Sequence, residues 1–174
     1  MAENTNTQQT SRWQMRFFTI WGGQAVSMLG SQLVQFALIW WLTKTTGSAT
    51  VLTTASLVGL LPQVFLMPLA GALVDRWNRR LVMIVADSLI AGLTLLLAAL
   101  FWSGQIQIWH VYVLMFLRSA LGGFHWAAMQ PTTTLMVPGE HLARVQGLNQ
   151  MLQGALGIVS APLGALLLEL LPMQ

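Results

Sequence analysis

The feature that most constrains this chain is a short charged segment between two long apolar runs. Positions 75–80 hold Asp75, Arg76, Arg79 and Arg80, which are four of the chain's 13 charged side chains (8 basic and 5 acidic). The apolar runs on either side each exceed about 20 residues, which is enough for a helix to cross a bilayer. The pattern predicts two membrane helices joined by a hairpin loop at the membrane surface.

Composition supports a membrane protein over a soluble one. Hydrophobic residues make up 55% of the 174 positions and charged residues 7%, whereas soluble domains carry roughly 25% charged residues. The net charge of +3 comes from scattered arginines, so it indicates orientation in a membrane and not binding to nucleic acid. The chain has no cysteine, which excludes disulfides, thiolate metal sites and cysteine nucleophiles.

The hydropathy pattern predicts an all-α, polytopic helical bundle. Residues 1–15 are polar and are predicted to be a disordered cytoplasmic tail, and 16–174 form one transmembrane domain. The first span rises about 39 Å, against a hydrocarbon core of about 30 Å. The five predicted helices cover about 17–42, 49–74, 81–102, 107–129 and 143–170.

The distribution of basic residues predicts the orientation of these helices. Six arginines fall on one side of the predicted membrane and only Lys44 on the other; the six are Arg12, Arg16, Arg76, Arg79, Arg80 and Arg144. By the positive-inside rule the N-terminus and the 75–80 loop are cytoplasmic, in a multi-pass protein of a bacterial plasma membrane. Five spans, with the last one close to the end of the sequence, lead us to expect a truncated frame or an incomplete bundle.

Arg118 lies near the middle of the fourth span. A membrane-buried arginine is costly, so it must face protein or water and have partners. Gly122 and His125 follow at i+4 and i+7 on the same helical face. Either Arg118 is a substrate or proton-coupling charge in a polar cavity, or it is a structural arginine bonded to carbonyls. His125 is either part of that cavity or an ordinary packed histidine.

The first span carries a polar stripe. Gln24, Ser31 and Gln35 recur at i, i+7 and i+11. Their side chains need hydrogen-bond partners and are not expected to face lipid. They therefore predict either the wall of a water-lined cavity or hydrogen bonds between helices.

The fifth span is rich in small residues at regular spacing. Gly147, Gly154 and Ala161 recur every seven residues, and so do Gln150, Gly157 and Gly164. Together with Gly122 on the fourth span, these glycines predict close helix packing. Pro162 removes one backbone hydrogen bond and predicts a bend in the helix.

The negative charges of two acidic residues, Asp87 and Asp75, need nearby positive groups. Asp87 lies about two turns into the third span, and its expected partners are the arginines of the 76–80 loop or Arg118. Asp75 ends the second span, where the helix dipole disfavours an acid. We expect it to be balanced by Arg76, Arg79 or Arg80, or by the N-terminus of another helix.

The sequence contains no recognisable catalytic set. Its three histidines are scattered and none is spaced from an acid as metal ligands are. No serine lies in a nucleophile elbow, and no glycine loop for phosphate exists. We expect neither an enzyme nor a bound cofactor or metal.

The charged loop carries a resemblance to a known family. The stretch Gly71-x-Leu73-x-Asp75-Arg76-x-x-Arg79-Arg80 resembles the loop between helices two and three of the major facilitator superfamily. Asn78 stands where the family usually has glycine. This variant, together with the stretch 21–31 in the first span, is similar to the macrolide-efflux and multidrug-exporter branch.

Two further stretches resemble motifs of the same family. Leu114-x-x-x-Arg118-x-x-x-Gly122 is similar to its helix-four motif, whose arginine is associated with proton coupling in exporters. Gly157-x-x-x-Ala161-Pro162 is similar to a degraded form of the antiporter motif of helix five. Ala161 replaces a glycine of that motif, so the resemblance supports membership of the family more firmly than antiport.

The resemblance implies five helices of the N-terminal six-helix half of a twelve-helix transporter. It implies efflux of small amphipathic molecules such as macrolides, coupled to protons, by alternating access. The 71–80 loop becomes a conformational switch that meets the C-terminal half. The partners of the chain are then a small-molecule substrate, a proton, the bilayer and the missing C-terminal half of the transporter. The alternatives are a helical module that transports nothing without a second half, or an exporter of another substrate such as a siderophore.

Overall fold

The computed structural model describes the backbone of residues 3–170, and the side chains of that range except 3–12, 16, 132–134, 136, 168 and 170. Within these residues the chain is helical throughout, with short turns between helices. A 3-10 turn, Gly139–His141, precedes the last helix. The helices are α1 Glu3–Thr46, α2 Ala49–Val74, α3 Arg79–Trp102, α4 Ile108–Met136 and α5 Leu142–Leu170.

The predicted all-helical fold is confirmed, and the predicted ends of α2 coincide with the observed ones. The largest difference is at the start of the chain. α1 begins at Glu3 and therefore includes most of the segment predicted to be a disordered tail. Once the apolar part of a helix has formed, each added residue gains a hydrogen bond, so polar residues can prolong it. The side chains of Arg12 and Arg16, which entered the predicted orientation, lie outside the described set.

The turns between helices have clear local causes. Gly47, between α1 and α2, and Gly104, between α3 and α4, have φ values of 57° and 66°, a region that glycine adopts without steric cost. Asn78 begins α3 as its N-cap, because its side-chain oxygen accepts hydrogen bonds from the backbone N–H groups of Arg80 and Leu81 at 3.1 and 3.4 Å. The φ of Asn78 is −69°, a value that any residue adopts, so this position does not require glycine.

Four helical segments in the described part of the chain are long and apolar enough to cross a membrane. α4 is not among them, although it is 29 residues long. Its interior holds Arg118 and His125, which lower the mean hydropathy, so the predicted fourth span stays a prediction. The four segments are Trp13–Thr46, Ala49–Val74, Arg79–Trp102 and Gly139–Leu167.

Large apolar side chains cover much of the helix surface. Leu95 on α3 is 72% exposed and Ile158 on α5 is 76% exposed, and several leucines of α2 are also exposed. Water would disfavour such an extended apolar surface, whereas lipid chains accommodate it. This distribution is the one expected of a membrane-embedded bundle.

The chain divides into two compact units. Unit 1 comprises Met1–Ala37 and Thr133–Gln174, and unit 2 comprises Leu38–Thr132. Each unit has its own buried cluster. In unit 1, Phe17, Val137 and Val145 are buried, with Trp13, Trp21 and Leu142 packed against them. In unit 2, Val74, Val82 and Ala128 are buried, with Met83, Phe124 and Ala127 packed against them.

Candidate functional site

The α2–α3 turn, at one end of unit 2, holds an ion pair. Arg79 donates to Asp75 Oδ1 at 3.0 Å, an i,i+4 contact across the turn. The backbone N–H of Asp75 also donates to the carbonyl of Gly71 at 3.1 Å, which closes the end of α2. The Asp75 side chain is 65% exposed, so the pair contributes about 0.2–1 kcal/mol to stability. Asp75 is thus partnered within its own turn, while Arg76 and Arg80 are exposed.

Arg118 on α4 is buried, with 9% of its surface exposed. Its guanidinium Nη1 donates to the hydroxyl Oγ1 of Thr94 on α3. Among the residues whose side chains are described, no carboxylate lies within 4.0 Å of it. The guanidinium has five N–H donors, and a single neutral acceptor leaves most of them and the charge uncompensated.

Asp87 and His125 form a second contact between α3 and α4. Asp87 Oδ1 lies 3.5 Å from His125 Nε2. The histidine side chain is 12% exposed and the aspartate side chain 40% exposed. His125 Nε2 is buried and has no hydrogen-bond partner within the described part of the chain. The expectation that Asp87 pairs with Arg118 or with the loop arginines is therefore wrong.

The two contacts follow one line along the helix pair. Thr94 lies seven residues after Asp87 on α3, and Arg118 lies seven residues before His125 on α4. Because the two helices run in opposite directions, the Thr94–Arg118 and Asp87–His125 contacts lie about 10 Å apart along the interface. We call these four residues the polar seam. Sequence reasoning missed Thr94, although its spacing from Asp87 equals that of Arg118 from His125.

α2 and α4 are also joined by side-chain hydrogen bonds to the backbone. Ser119 Oγ donates to the carbonyl of Gly59 at 2.5 Å. Tyr112 Oη donates to the carbonyl of Val51 at 3.1 Å. The polar seam is therefore held in place by contacts of α4 with both α2 and α3. Neither hydroxyl was singled out from the sequence, because the sequence does not show which carbonyl of α2 each hydroxyl faces.

The polar stripe of α1 belongs to unit 1, whereas the polar seam belongs to unit 2. Gln24, Ser31 and Gln35 are all partly buried. Gln24 Oε1 is buried without a hydrogen-bond partner in the described structure. Nearby on α1, Trp21 Nε1 donates to Asn149 Oδ1 of α5 at 2.9 Å. The stripe thus contains at least one acceptor that needs water, ligand or protein.

The predicted packing glycines have no close neighbours. A Cβ added to Gly122, Gly154 or Gly157 meets no described atom within 4 Å. Gly164, which belongs to the same seven-residue repeat as Gly157, does approach another helix, because an added Cβ there would lie 2.4 Å from Phe36 Cδ1 on α1. No described residue packs closely against Gly122, Gly154 or Gly157, so the structure does not support their predicted packing role. α5 continues as a helix past Pro162.

The described side chains contain no group of three or more histidine, cysteine, aspartate or glutamate residues able to hold a metal ion. What unit 2 offers chemically is a buried positive charge beside a neutral acceptor, and an acid next to a buried histidine. In proteins generally, an acid beside a histidine can exchange a proton, and a buried guanidinium can hold an anionic or polar ligand.

Comparison with known proteins extends these observations. The sequence matches the Major Facilitator Superfamily over residues 20–174. It is 42% identical over 157 residues to "Macrolide efflux protein A" of Streptococcus pyogenes, covering 90% of this chain and 39% of the relative. It is 40% identical over 121 residues to "Macrolide efflux protein A" of Enterococcus faecalis, covering 70% of this chain and 37% of the relative.

A third relative is the "Uncharacterized MFS-type transporter YkuC" of Bacillus subtilis, 30% identical over 149 residues, which cover 86% of this chain and 34% of the relative. No solved structure matches. The chain thus spans less than two fifths of the length of the curated relatives it matches. The family match covers most of the sequence, from helix α1 onward. The chain therefore belongs to the major facilitator superfamily, a family of multi-pass membrane transporters and not of enzymes.

Proposed function

We propose that this chain is part of a secondary active exporter of small amphipathic, macrolide-like molecules, coupled to protons and working by alternating access. The observation that carries the proposal is the buried Arg118, which has a neutral partner and no carboxylate among the described side chains. If α4 crosses the bilayer, a charge at this position costs about 2.5–3.5 kcal/mol or more. A transporter can retain it because a substrate or proton-linked group compensates the charge during the cycle.

The kinship with macrolide efflux proteins supports the substrate class. The segment that is 42% identical covers 90% of this chain, so it includes most of α1. The side chains of Gln24, Ser31 and Gln35 on that helix are partly buried. A macrolide presents hydroxyl and carbonyl groups on a large apolar body. Amide and hydroxyl side chains spaced along an otherwise apolar helix suit such a molecule, since they supply a few polar contacts within a mostly apolar pocket.

The α2–α3 turn is proposed to act as the conformational switch. Gly71 and Asp75 close the end of α2 and Arg79 pairs with Asp75, while Arg76 and Arg80 are exposed. The Asp75–Arg79 pair is weak enough to be exchanged for another partner. In alternating access, one half of the transporter rocks against the other. We infer that Asp75 contacts the second half in one state and Arg79 in the other.

Charge placement supports a cytoplasmic N-terminus and α2–α3 turn in a bacterial plasma membrane. Six basic residues on one predicted side against one on the other is the bias of the positive-inside rule. The relatives are bacterial proteins, which favours this membrane.

A second candidate function follows from length. The chain spans 39% of the first relative, whereas alternating access needs two halves. The alternative is a helical module that transports only when combined with a second half, supplied by the same or another polypeptide. A siderophore or another amphipathic compound is an alternative substrate.

The test is a chimera in which this chain replaces the matched segment of the Streptococcus pyogenes relative. Everted vesicles with an acid interior should accumulate a radiolabelled macrolide, and dissipating the pH gradient should stop it. The chain expressed alone should accumulate none. Arg118→Ala in the chimera should lower accumulation. A chimera that reaches the membrane but transports no more than empty-vector vesicles contradicts the proposal.

A further inference from the structure

The polar seam contains a titratable pair that the family motifs do not include. Asp87 Oδ1 and His125 Nε2 approach to 3.5 Å on facing helices. The histidine nitrogen is buried and lacks a hydrogen-bond partner in the described structure. A buried polar atom without a partner is uncommon and calls for an explanation. We propose that Asp87 and His125 together form a proton-binding site between α3 and α4, and that this site supplies the coupling proton of the proposed exporter.

The geometry favours a proton over other ligands. The Asp87 side chain is 40% exposed, whereas the His125 side chain is 12% exposed. A proton can therefore reach the carboxylate first and then pass to Nε2 through a gap too short for any larger ligand. With the proton on Nε2, the imidazolium lies beside the carboxylate and the unpartnered nitrogen becomes a donor to it. When the proton leaves to water, the pair carries one net negative charge.

Arg118 links this pair to the rest of the seam. The unprotonated pair has a negative charge that partly compensates Arg118, about 10 Å away along the interface. Protonation neutralises the pair and leaves Arg118 with only Thr94. Proton binding thus alters the electrostatic environment of the buried arginine.

Other charged groups of unit 2 lie at its two ends. α2 and the start of α3 contribute Asp75 and Arg79, which pair with each other at 3.0 Å, and the exposed Arg76 and Arg80. Lys44, His110 and Tyr112 belong to the opposite end, near the α1–α2 and α3–α4 turns. Among described groups, Asp87 is the acid in contact with His125.

The site itself is tested on the 174-residue chain in lipid nanodiscs, with 15N-labelled histidine. The chain has three histidines, so three pairs of ring-nitrogen signals are expected, and His125→Gln assigns one pair. We expect the His125 signal to change between its neutral and protonated forms as pH is lowered. Asp87→Asn should alter that pH response while leaving His110 and His141 unchanged. Asp87→Glu should preserve it.

Asp75→Asn is the matched control, because it removes an acid of the same unit that does not contact His125. It should leave the His125 response unaltered. A His125 signal that ignores pH, or that responds identically in wild type and Asp87→Asn, overturns the proton-binding site. Circular dichroism of each variant checks that the helices remain folded.

The coupling role rests on the proposed function and is tested in the chimera. Asp87→Asn and His125→Gln should each abolish the stimulation of macrolide uptake by the pH gradient, because neither variant retains the complete proton-binding pair. Equilibrium macrolide binding should stay near that of the unsubstituted chimera. Unchanged gradient-driven uptake in both variants overturns the coupling. If the unsubstituted chimera transports nothing, the proposed function fails, and the histidine signals still decide the proton site.

Discussion

At the scale of single residues, the hydroxyl of Thr94 takes part in two hydrogen bonds. It is the acceptor for the buried guanidinium of Arg118, and it also donates to the carbonyl of Ile90 in its own helix at 2.7 Å. Thr94→Val keeps the side-chain shape and removes the acceptor. We expect the chain to lose about 1–3 kcal/mol of stability, the usual cost of leaving a buried polar group without its partner. Thermal unfolding in detergent micelles, followed by circular dichroism, measures this loss.

Thr53→Val is the control for this change. The Thr53 hydroxyl donates to the carbonyl of Ala49 at 2.9 Å, in the same intrahelical pattern, but on an exposed face. The difference between the two variants isolates the contact with Arg118. Equal stability of Thr94→Val and Thr53→Val would show that the Thr94–Arg118 contact contributes nothing to folding.

At the scale of helices, Asn78 determines where α3 begins. Its side chain accepts from two backbone N–H groups that have no partner within the helix. Asn78→Ala should cost about 0.5–2 kcal/mol in unfolding free energy, and Asn78→Gly only a few tenths. Asn78→Asp, which keeps the acceptor, should remain near wild type. The same unfolding measurement applies, and a loss in Asn78→Gly as large as in Asn78→Ala contradicts the capping role.

The approach of α1 to α5 depends on Gly164. An added Cβ would lie 2.4 Å from Phe36 Cδ1, so one of the two helices or the Phe36 ring has to shift. We expect Gly164→Ala to destabilise unit 1 by about 1–3 kcal/mol, as overpacking does. Gly157→Ala serves as the control, since its Cβ meets no described atom within 4 Å. It should be neutral or gain about 0.4–1 kcal/mol, and a comparable loss in both variants contradicts the close contact.

The helices themselves were predictable because long apolar runs and turn residues are local signals. α2 was predicted to its observed ends. Contacts between helices were not, because they depend on the rotation and offset of each helix about its neighbour. Asp87 was therefore assigned to arginines when its partner is His125. The same limitation left Gly157 and Gly164 indistinguishable, because both belong to one seven-residue repeat of the sequence.

At the scale of the whole molecule, family and fold class could be predicted, whereas small tertiary contacts could not. The 71–80 motif and the overall hydropathy were sufficient for membership, which the match over 20–174 confirms. The stacking of Trp13 on His141, with ring centroids 5.3 Å apart and planes 26° apart, has no such signal. It joins the start of α1 to the 3-10 turn before α5, residues 128 positions apart in the chain, and only the folded structure brings them together.

The remaining prediction concerns how the chain crosses the membrane, and in particular whether α4 does. The chain has no cysteine, so a single introduced cysteine is the only thiol of the chain that a maleimide can label. Trp77 in the α2–α3 turn, Gln105 in the α3–α4 turn and Glu140 before α5 are all exposed. We introduce Trp77→Cys, Gln105→Cys and Glu140→Cys one at a time and treat intact bacterial cells with a membrane-impermeant maleimide.

If six basic residues set a cytoplasmic N-terminus, Gln105→Cys is labelled in intact cells and Trp77→Cys only after permeabilisation. Glu140→Cys then distinguishes the two possibilities for α4. If α4 spans the bilayer despite the cost of Arg118, position 140 lies on the same side as position 77 and is protected in intact cells. Labelling of Glu140→Cys together with Gln105→Cys contradicts a fourth span, and labelling of Trp77→Cys in intact cells contradicts the orientation. Because α3 and α4 share the polar seam, a spanning α4 places that seam within the bilayer, where a proton site can respond to the transmembrane gradient.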